Sequence, residues 1–127
     1  MAASVVLVTL ASCEIDKGKL PNIEFKTGSV YTSSDAAKAK NDSVWIGIVA
    51  SKAEDKDVLT TFDASRSYDG AAAVSFSGKT LSGIERDVYN DDILIVTRNQ
   101  AGTEKYTFTV VNRDGIKNSV SLTLTVQ

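Results

Sequence analysis

The chain of 127 residues contains no histidine, one cysteine, one proline and one tryptophan. Each scarcity removes a class of chemistry. Without histidine the usual Ser-His and Cys-His nucleophile pairs are impossible, and so is a histidine metal site. A serine–lysine arrangement remains chemically available, but no motif marks one, so the expectation is a protein that is not an enzyme and carries no cofactor. A lone Cys13 cannot close an intramolecular disulfide in any compartment. No lysine or arginine cluster stands out and the formal net charge is −2, which argues against nucleic acid as a partner. No apolar run approaches the roughly 20 residues a helix needs to cross a bilayer.

What is present begins with a short apolar run, Ala2 to Leu10, closing in Leu10-Ala11-Ser12-Cys13. A brief hydrophobic core, small residues and then a cysteine resemble a bacterial lipoprotein signal. The resemblance implies that Cys13 is the acylated first residue of the mature protein and residues 1–12 are a remnant of the signal. Residues 13–21, with Glu14-Ile15-Asp16-Lys17-Gly18-Lys19, then form the tether. Two or more acyl chains on Cys13 would make the membrane a stable partner. The implied address is an outer-membrane lipoprotein facing the periplasm or the cell surface. Acidic residues just after the cysteine resemble the surface-export signals of Bacteroidetes-type lipoproteins. No lysine or arginine precedes the apolar run, so the native start is expected upstream. A second reading stays open: Ser4 to Leu10 is rich in β-branched residues and suits a native buried strand, with Cys13 as a plain buried thiol.

From Pro21 onward short strands alternate with turn residues, and no amphipathic helix stands out. Ile23 and Phe25 alternate with polar neighbours, the pattern of a half-buried strand. Ser43 to Ser51 places Val44, Ile46, Ile48 and Ala50 on one face. Val58 to Ala64 and Ala72 to Ser77 read as further strands, and Ser33 to Lys40 as a loop or irregular edge strand. Asp92 to Thr97 holds a continuous run, Ile93-Leu94-Ile95-Val96, which predicts a strand buried on both sides. Tyr106, Phe108 and Val110 alternate with polar residues, as do Val120, Leu122, Leu124 and Val126. Between them Asn112-Arg113-Asp114-Gly115 signals a turn, with Gly115 supplying positive φ, so residues 106–126 predict a hairpin. About seven such strands predict one antiparallel all-β sandwich over residues 22–127.

Ala101-Gly102-Thr103-Glu104-Lys105-Tyr106-Thr107-Phe108, the Asn112–Gly115 turn and the Ser/Thr-Val-Leu strand after it resemble the last two strands of PKD-type and related immunoglobulin-like domains. The likeness is good over residues 99–127 and loose over 22–98. It implies an immunoglobulin-like sandwich in which Tyr106 is the tyrosine-corner residue and Phe108 takes the place of the second cysteine of antibody domains. The absence of a cysteine pair and the position of Trp45 on an early strand depart from the antibody pattern. Such sandwiches serve adhesion, recognition and spacing alike, so the resemblance bears on fold far more than on function.

Trp45 is out of phase with Val44, Ile46 and Ile48 and so points to the opposite face of its strand, where Gly47 leaves room beside the ring. An exposed ring there would be a platform for a sugar, joined by Tyr68 or Tyr89 from loops. Covered by a loop, or by the other sheet through a bulge, it would instead bury about 150–250 Å². Arg66-Ser67-Tyr68-Asp69-Gly70 reads as a turn that carries two residue types enriched at binding hot spots. Tyr31 suits core or edge. Asp87, Asn90, Asp91 and Asp92 are the densest oxygen-bearing segment and the weak candidates for calcium; Glu54, Asp55 and Asp57 are another, mixed with Lys52 and Lys56. No spacing matches an EF-hand, so no metal is expected and the carboxylates read as loop groups satisfied by water or amides. The function these residues suggest is a non-catalytic, lipid-anchored envelope module that binds a polysaccharide or an envelope protein. The competing function is a structural or assembly subunit that pairs with another envelope protein through a sheet edge.

Overall fold

The computed structural model describes residues 18–127; Cys13 and the apolar run before it lie outside the described residues. Among the described residues eight strands fall in the order β1 (Asn22–Phe25), β2 (Ala36–Lys38), β3 (Ser43–Ser51), β4 (Leu59–Tyr68), β5 (Val74–Thr80), β6 (Val88–Val96), β7 (Gly102–Asn112) and β8 (Lys117–Val126). They form a three-stranded sheet, β1-β3-β6, and a five-stranded sheet, β2-β8-β7-β4-β5. The described chain is thus an all-β sandwich. All pairings are antiparallel except β2 with β8.

Period-two patterning builds the core. Val44, Ile46, Ile48 and Ala50 of β3 face Phe62 and Ala64 of β4, Tyr106, Phe108 and Val110 of β7, and Leu122 and Leu124 of β8. Phe108 stands at the centre, edge-on to Phe25 at 6.0 Å between ring centroids and stacked with Phe62 at 6.4 Å. The expected hairpin is β7–β8, and its turn is locked by one side chain: Asn112 Oδ1 accepts from the backbone N–H of Asp114 and of Ile116, each at 3.0 Å. Gly115 there has φ +81°, a conformation glycine adopts without steric cost.

Three expectations need correction. The Ile93–Val96 run is not buried on both sides, because among the described residues β6 is the edge of a three-stranded sheet with no layer outside it. Ile95 is buried, but Leu94 is 47% and Val96 57% exposed. The Asp- and Asn-rich segment before it is not a loop, since β6 begins at Val88, opposite Ser51 of β3. Arg66-Ser67-Tyr68 is strand rather than turn; β4 runs through Tyr68, and only Asp69 and Gly70 reverse the chain, both with positive φ. A short 3-10 helix, Gly83–Arg86, links β5 to β6; it is four residues long and buries no side chain, and the pattern had predicted no amphipathic helix. The doubtful Ser33–Lys40 stretch contains the short edge strand β2.

Candidate functional site

The outer face of the three-stranded sheet is the candidate site. Strand alternation turns Trp45 out of the sandwich, and its side chain is 42% exposed. Leu94 of β6 lies directly opposite it across the ladder, and Val96 opposite Ser43. Trp45, Leu94 and Val96 therefore form an apolar patch facing solvent at one end of the face.

Tyr31 lies beside that patch, on the segment that joins the sheet through Thr32 N–H donating to the Trp45 carbonyl at 2.8 Å. The space left by Gly47 is where Tyr31 rests. A Cβ at position 47 would stand 2.7 Å from Tyr31 Cε1 and 2.8 Å from Lys26 Cβ. Next in line comes a polar triad. Lys26 Nζ donates to Asp92 Oδ1 at 2.9 Å and Tyr31 Oη donates to the same oxygen at 3.0 Å. The Lys26 ammonium lies 5.9 Å from the Tyr31 ring centroid. Hydrogen bonds from Lys26 and then from Tyr31 hold the Asp92 carboxyl below its ordinary range. The bond to Asp92 raises the Tyr31 phenol above its ordinary value, so the tyrosine stays a neutral donor at physiological pH.

Beyond Gly47 the same face continues through Val49 and Ser51 to a shallow depression lined by Asn22, Glu24, Val49, Ser51 and the neighbouring Asn118. From Ser43 to Ser51 the strip runs the length of β3, roughly 26 Å at 3.3 Å per residue. Aromatic and apolar groups occupy one end, a charged triad the middle, and amides, a hydroxyl and a carboxylate the other.

The remaining sequence candidates do not join this face. Tyr89 is in the core, 5.0 Å from Phe62 between ring centroids, with its hydroxyl donating to Asp91 at 2.8 Å. Burial, and then that bond, raise its phenol above its ordinary value. Arg66 and Tyr68 stand on the five-stranded sheet, opposite Tyr106 and Glu104 and therefore on its inner face. Two guanidinium groups lie over the Tyr68 ring, that of Arg66 at 5.3 Å and that of Arg98 at 4.1 Å from the ring centroid. Asp87, Asp91 and Asp92 disperse to separate partners, Lys52, Tyr89 and Lys26, rather than converging. Among the described residues no group of three or more Cys, Asp or Glu side chains is placed to hold a metal ion.

Two features escaped the sequence reading. Tyr31 was expected in core or edge, and its place over Gly47 depends on contacts between residues 26, 31, 47 and 92 that no local pattern encodes. Only the bare Gly47 beside Trp45 hinted at a covering group. The second is a buried cluster around Glu104, which is fully buried yet charged. Tyr106 donates to it at 2.6 Å, and Arg98 donates from its backbone N–H at 3.0 Å and from Nε at 2.9 Å. Burial raises the carboxyl, but these bonds outweigh it and hold the group below its ordinary value. The phenol of Tyr106 thus bonds a carboxylate two residues back, not the main chain that a tyrosine corner uses.

The fold and this face together define a two-sheet β-sandwich with a solvent-facing aromatic strip. No protein family and no curated protein matches the chain. Among solved structures it is similar to a superoxide reductase (neelaredoxin) from Ignicoccus hospitalis, at 7% identity and a TM-score of 0.55, over 86% of this chain and 81% of that one. At that identity the likeness is one of fold alone.

Proposed function

We propose that this chain is a non-catalytic binding module of the bacterial cell envelope, anchored through acylated Cys13, whose ligand is a polysaccharide lying along the outer face of the three-stranded sheet. The observation that carries this reading is the exposed Trp45 on a face that also carries Tyr31, Lys26 and Asp92. A sugar ring offers an apolar face to an aromatic ring and hydroxyls around its edge. A strip that alternates a ring with a lysine, a carboxylate and amides matches both. Its length suits an extended polymer better than a small molecule, which would favour an enclosed pocket.

We further infer that the sandwich is immunoglobulin-like. Support comes from the two-sheet strand order, the single parallel pairing of β2 with β8, and Tyr106 placed two residues before the central Phe108. A chain without histidine, read as a carrier of loops and faces, fits a role in recognition rather than chemistry.

The test uses Trp45 as the sole tryptophan. Its emission in the folded protein is expected to be red-shifted, and to change on titration with one of a panel of bacterial, host and plant polysaccharides. Trp45→Ala should abolish retention on that polysaccharide in affinity electrophoresis. Emission indifferent to every glycan would reject the reading. A second reading, assembly through a sheet edge, is favoured by one observation: β5 is an exposed edge strand with Lys79 as its only charge. That reading expects capture of an extended protein segment that Ser77→Pro abolishes, with Trp45→Ala without effect.

A further inference from the structure

The connection between β3 and β4 contains a carboxylate that the sandwich does not satisfy. Asp57 is 1% exposed, and among the described residues neither of its carboxylate oxygens has a hydrogen-bond partner. An ionised carboxyl is removed from water only where a cation or several donors replace the lost hydration. Its own backbone N–H is used elsewhere, donating to the Glu54 carbonyl at 3.0 Å to close the loop.

A second carboxylate faces the same space. Gly18, at φ +83°, lies against it, and the point a Cβ would occupy there is 3.1 Å from Asp114 Oδ2 and 3.2 and 3.4 Å from the two oxygens of Asp57. Three oxygens of two acids converge on one small volume that only glycine leaves open. Asp114 is held in the β7–β8 turn by its N–H donating to Asn112 Oδ1, and Asn112 Nδ2 donates to the Lys19 carbonyl at 3.2 Å. Residues 18–19, 57 and 114, far apart in sequence, are thereby brought together at one end of the sandwich.

Among the described residues, two lysines on these segments are engaged with other acids. Lys52 pairs with Asp87 at 3.0 Å and Lys19 with Glu54 at 3.9 Å. Arg113 lies 4.0 Å from Asp114 Oδ1, whereas it is Oδ2 that lies against Gly18.

We propose that Asp57 and Asp114 bind a calcium ion at this end of the sandwich. Calcium accepts six to eight oxygen ligands at about 2.3–2.6 Å and tolerates irregular geometry. Two carboxylates match its charge, and main-chain carbonyls and water complete the shell. Magnesium, which demands near-ideal octahedral geometry, fits a flexible loop site less well. The ion clamps Gly18 and Lys19 to the β3–β4 and β7–β8 connections. This site is separate from the aromatic strip and stands whether or not that strip binds a glycan.

The experiment takes the full chain in EDTA and adds calcium chloride, following heat by titration calorimetry and Tm by scanning calorimetry. The expected result is saturable binding with a rise in Tm, slowed amide exchange at Gly18 and Lys19, and a weaker response to magnesium. Asp57→Asn and, separately, Asp114→Asn should each abolish the calcium-dependent shift. In EDTA, Asp57→Asn should have a Tm no lower than the parent protein, since a neutral amide relieves the lone buried charge. Asp114→Asn decides the matter if Asp57→Asn fails to fold. No heat and no Tm shift up to about 10 mM calcium, above the ~1 mM of the weakest extracellular calcium modules, would overturn the proposal. A shift that survives in the variants, or an equal response to magnesium, would overturn it as well.

Discussion

One hydroxyl at position 106 holds a buried charge in place. Tyr106 and Glu104 are almost wholly buried, and the phenol is the sole donor to Glu104 Oε1 among the described residues. Tyr106→Phe keeps the ring against Phe76 and removes only that donor. The expected cost is about 1–3 kcal/mol in unfolding free energy, the penalty for stranding a buried acceptor; urea denaturation measures it. A destabilisation near zero would mean water replaces the hydroxyl. That Tyr106 would be structural was legible from its place before Phe108 in an alternating strand. Its partner was not, because alternation puts Glu104 on the core face while its charge argues for the surface, and only the arrival of Arg98 from the preceding connection resolves that conflict.

Among the elements, β3 carries both the core and the candidate face, and Gly47 divides the two roles. The glycine is buried although it points outward, because Tyr31 and Lys26 lie across it. Gly47→Ala forces a methyl into space held by the Tyr31 ring and the Lys26 Cβ, and overpacking of this kind costs about 1–3 kcal/mol. Displacement of Tyr31 should also break its hydrogen bond to Asp92, which nuclear magnetic resonance of the Tyr31 ring protons would register, and should weaken polysaccharide binding more than it lowers Tm. Unchanged ring shifts would show that the segment before β2 yields without strain. The β7–β8 hairpin and the inward face of β3 were readable because period-two alternation and an Asn-Arg-Asp-Gly turn are local signals. The Ile93–Val96 run misled for a physical reason: an apolar run says that a strand is hydrophobic on both faces, not that a layer of protein covers both.

For the whole molecule, the absence of histidine sets the response to pH. No side chain of ordinary pKa titrates between about pH 5 and 8, so Tm is expected to be flat across that window. Glu104, Asp69, Glu85 and Asp92 are all held below their ordinary values in the folded state. A depressed folded pKa favours the ionised form, so its contribution is complete above the unfolded value, about 4. It is lost as pH falls through the folded value. Stability should therefore fall below about pH 4, with Glu104, the buried member, contributing most; Glu104→Gln should flatten the acid limb while lowering Tm at neutral pH. A thermal scan series from pH 2 to 8 checks both, and a slope between pH 5 and 8 would contradict this account.

Sequence alone determined that this is an all-β chain, where most strands lie, which way Trp45 points, and that histidine-dependent chemistry is excluded. These follow from residue type and spacing within a few positions, where sterics and side-chain alternation act directly. Tertiary structure decided which side chains share a face: Trp45 with Tyr31, Lys26 and Asp92, not with Tyr68 or Tyr89. It also decided that, among the described residues, β6 is an uncovered edge and that Asp57 and Asp114 meet beside Gly18. Such groupings join residues tens of positions apart, and they arise from how two sheets bury a common core, a global balance that no local pattern contains.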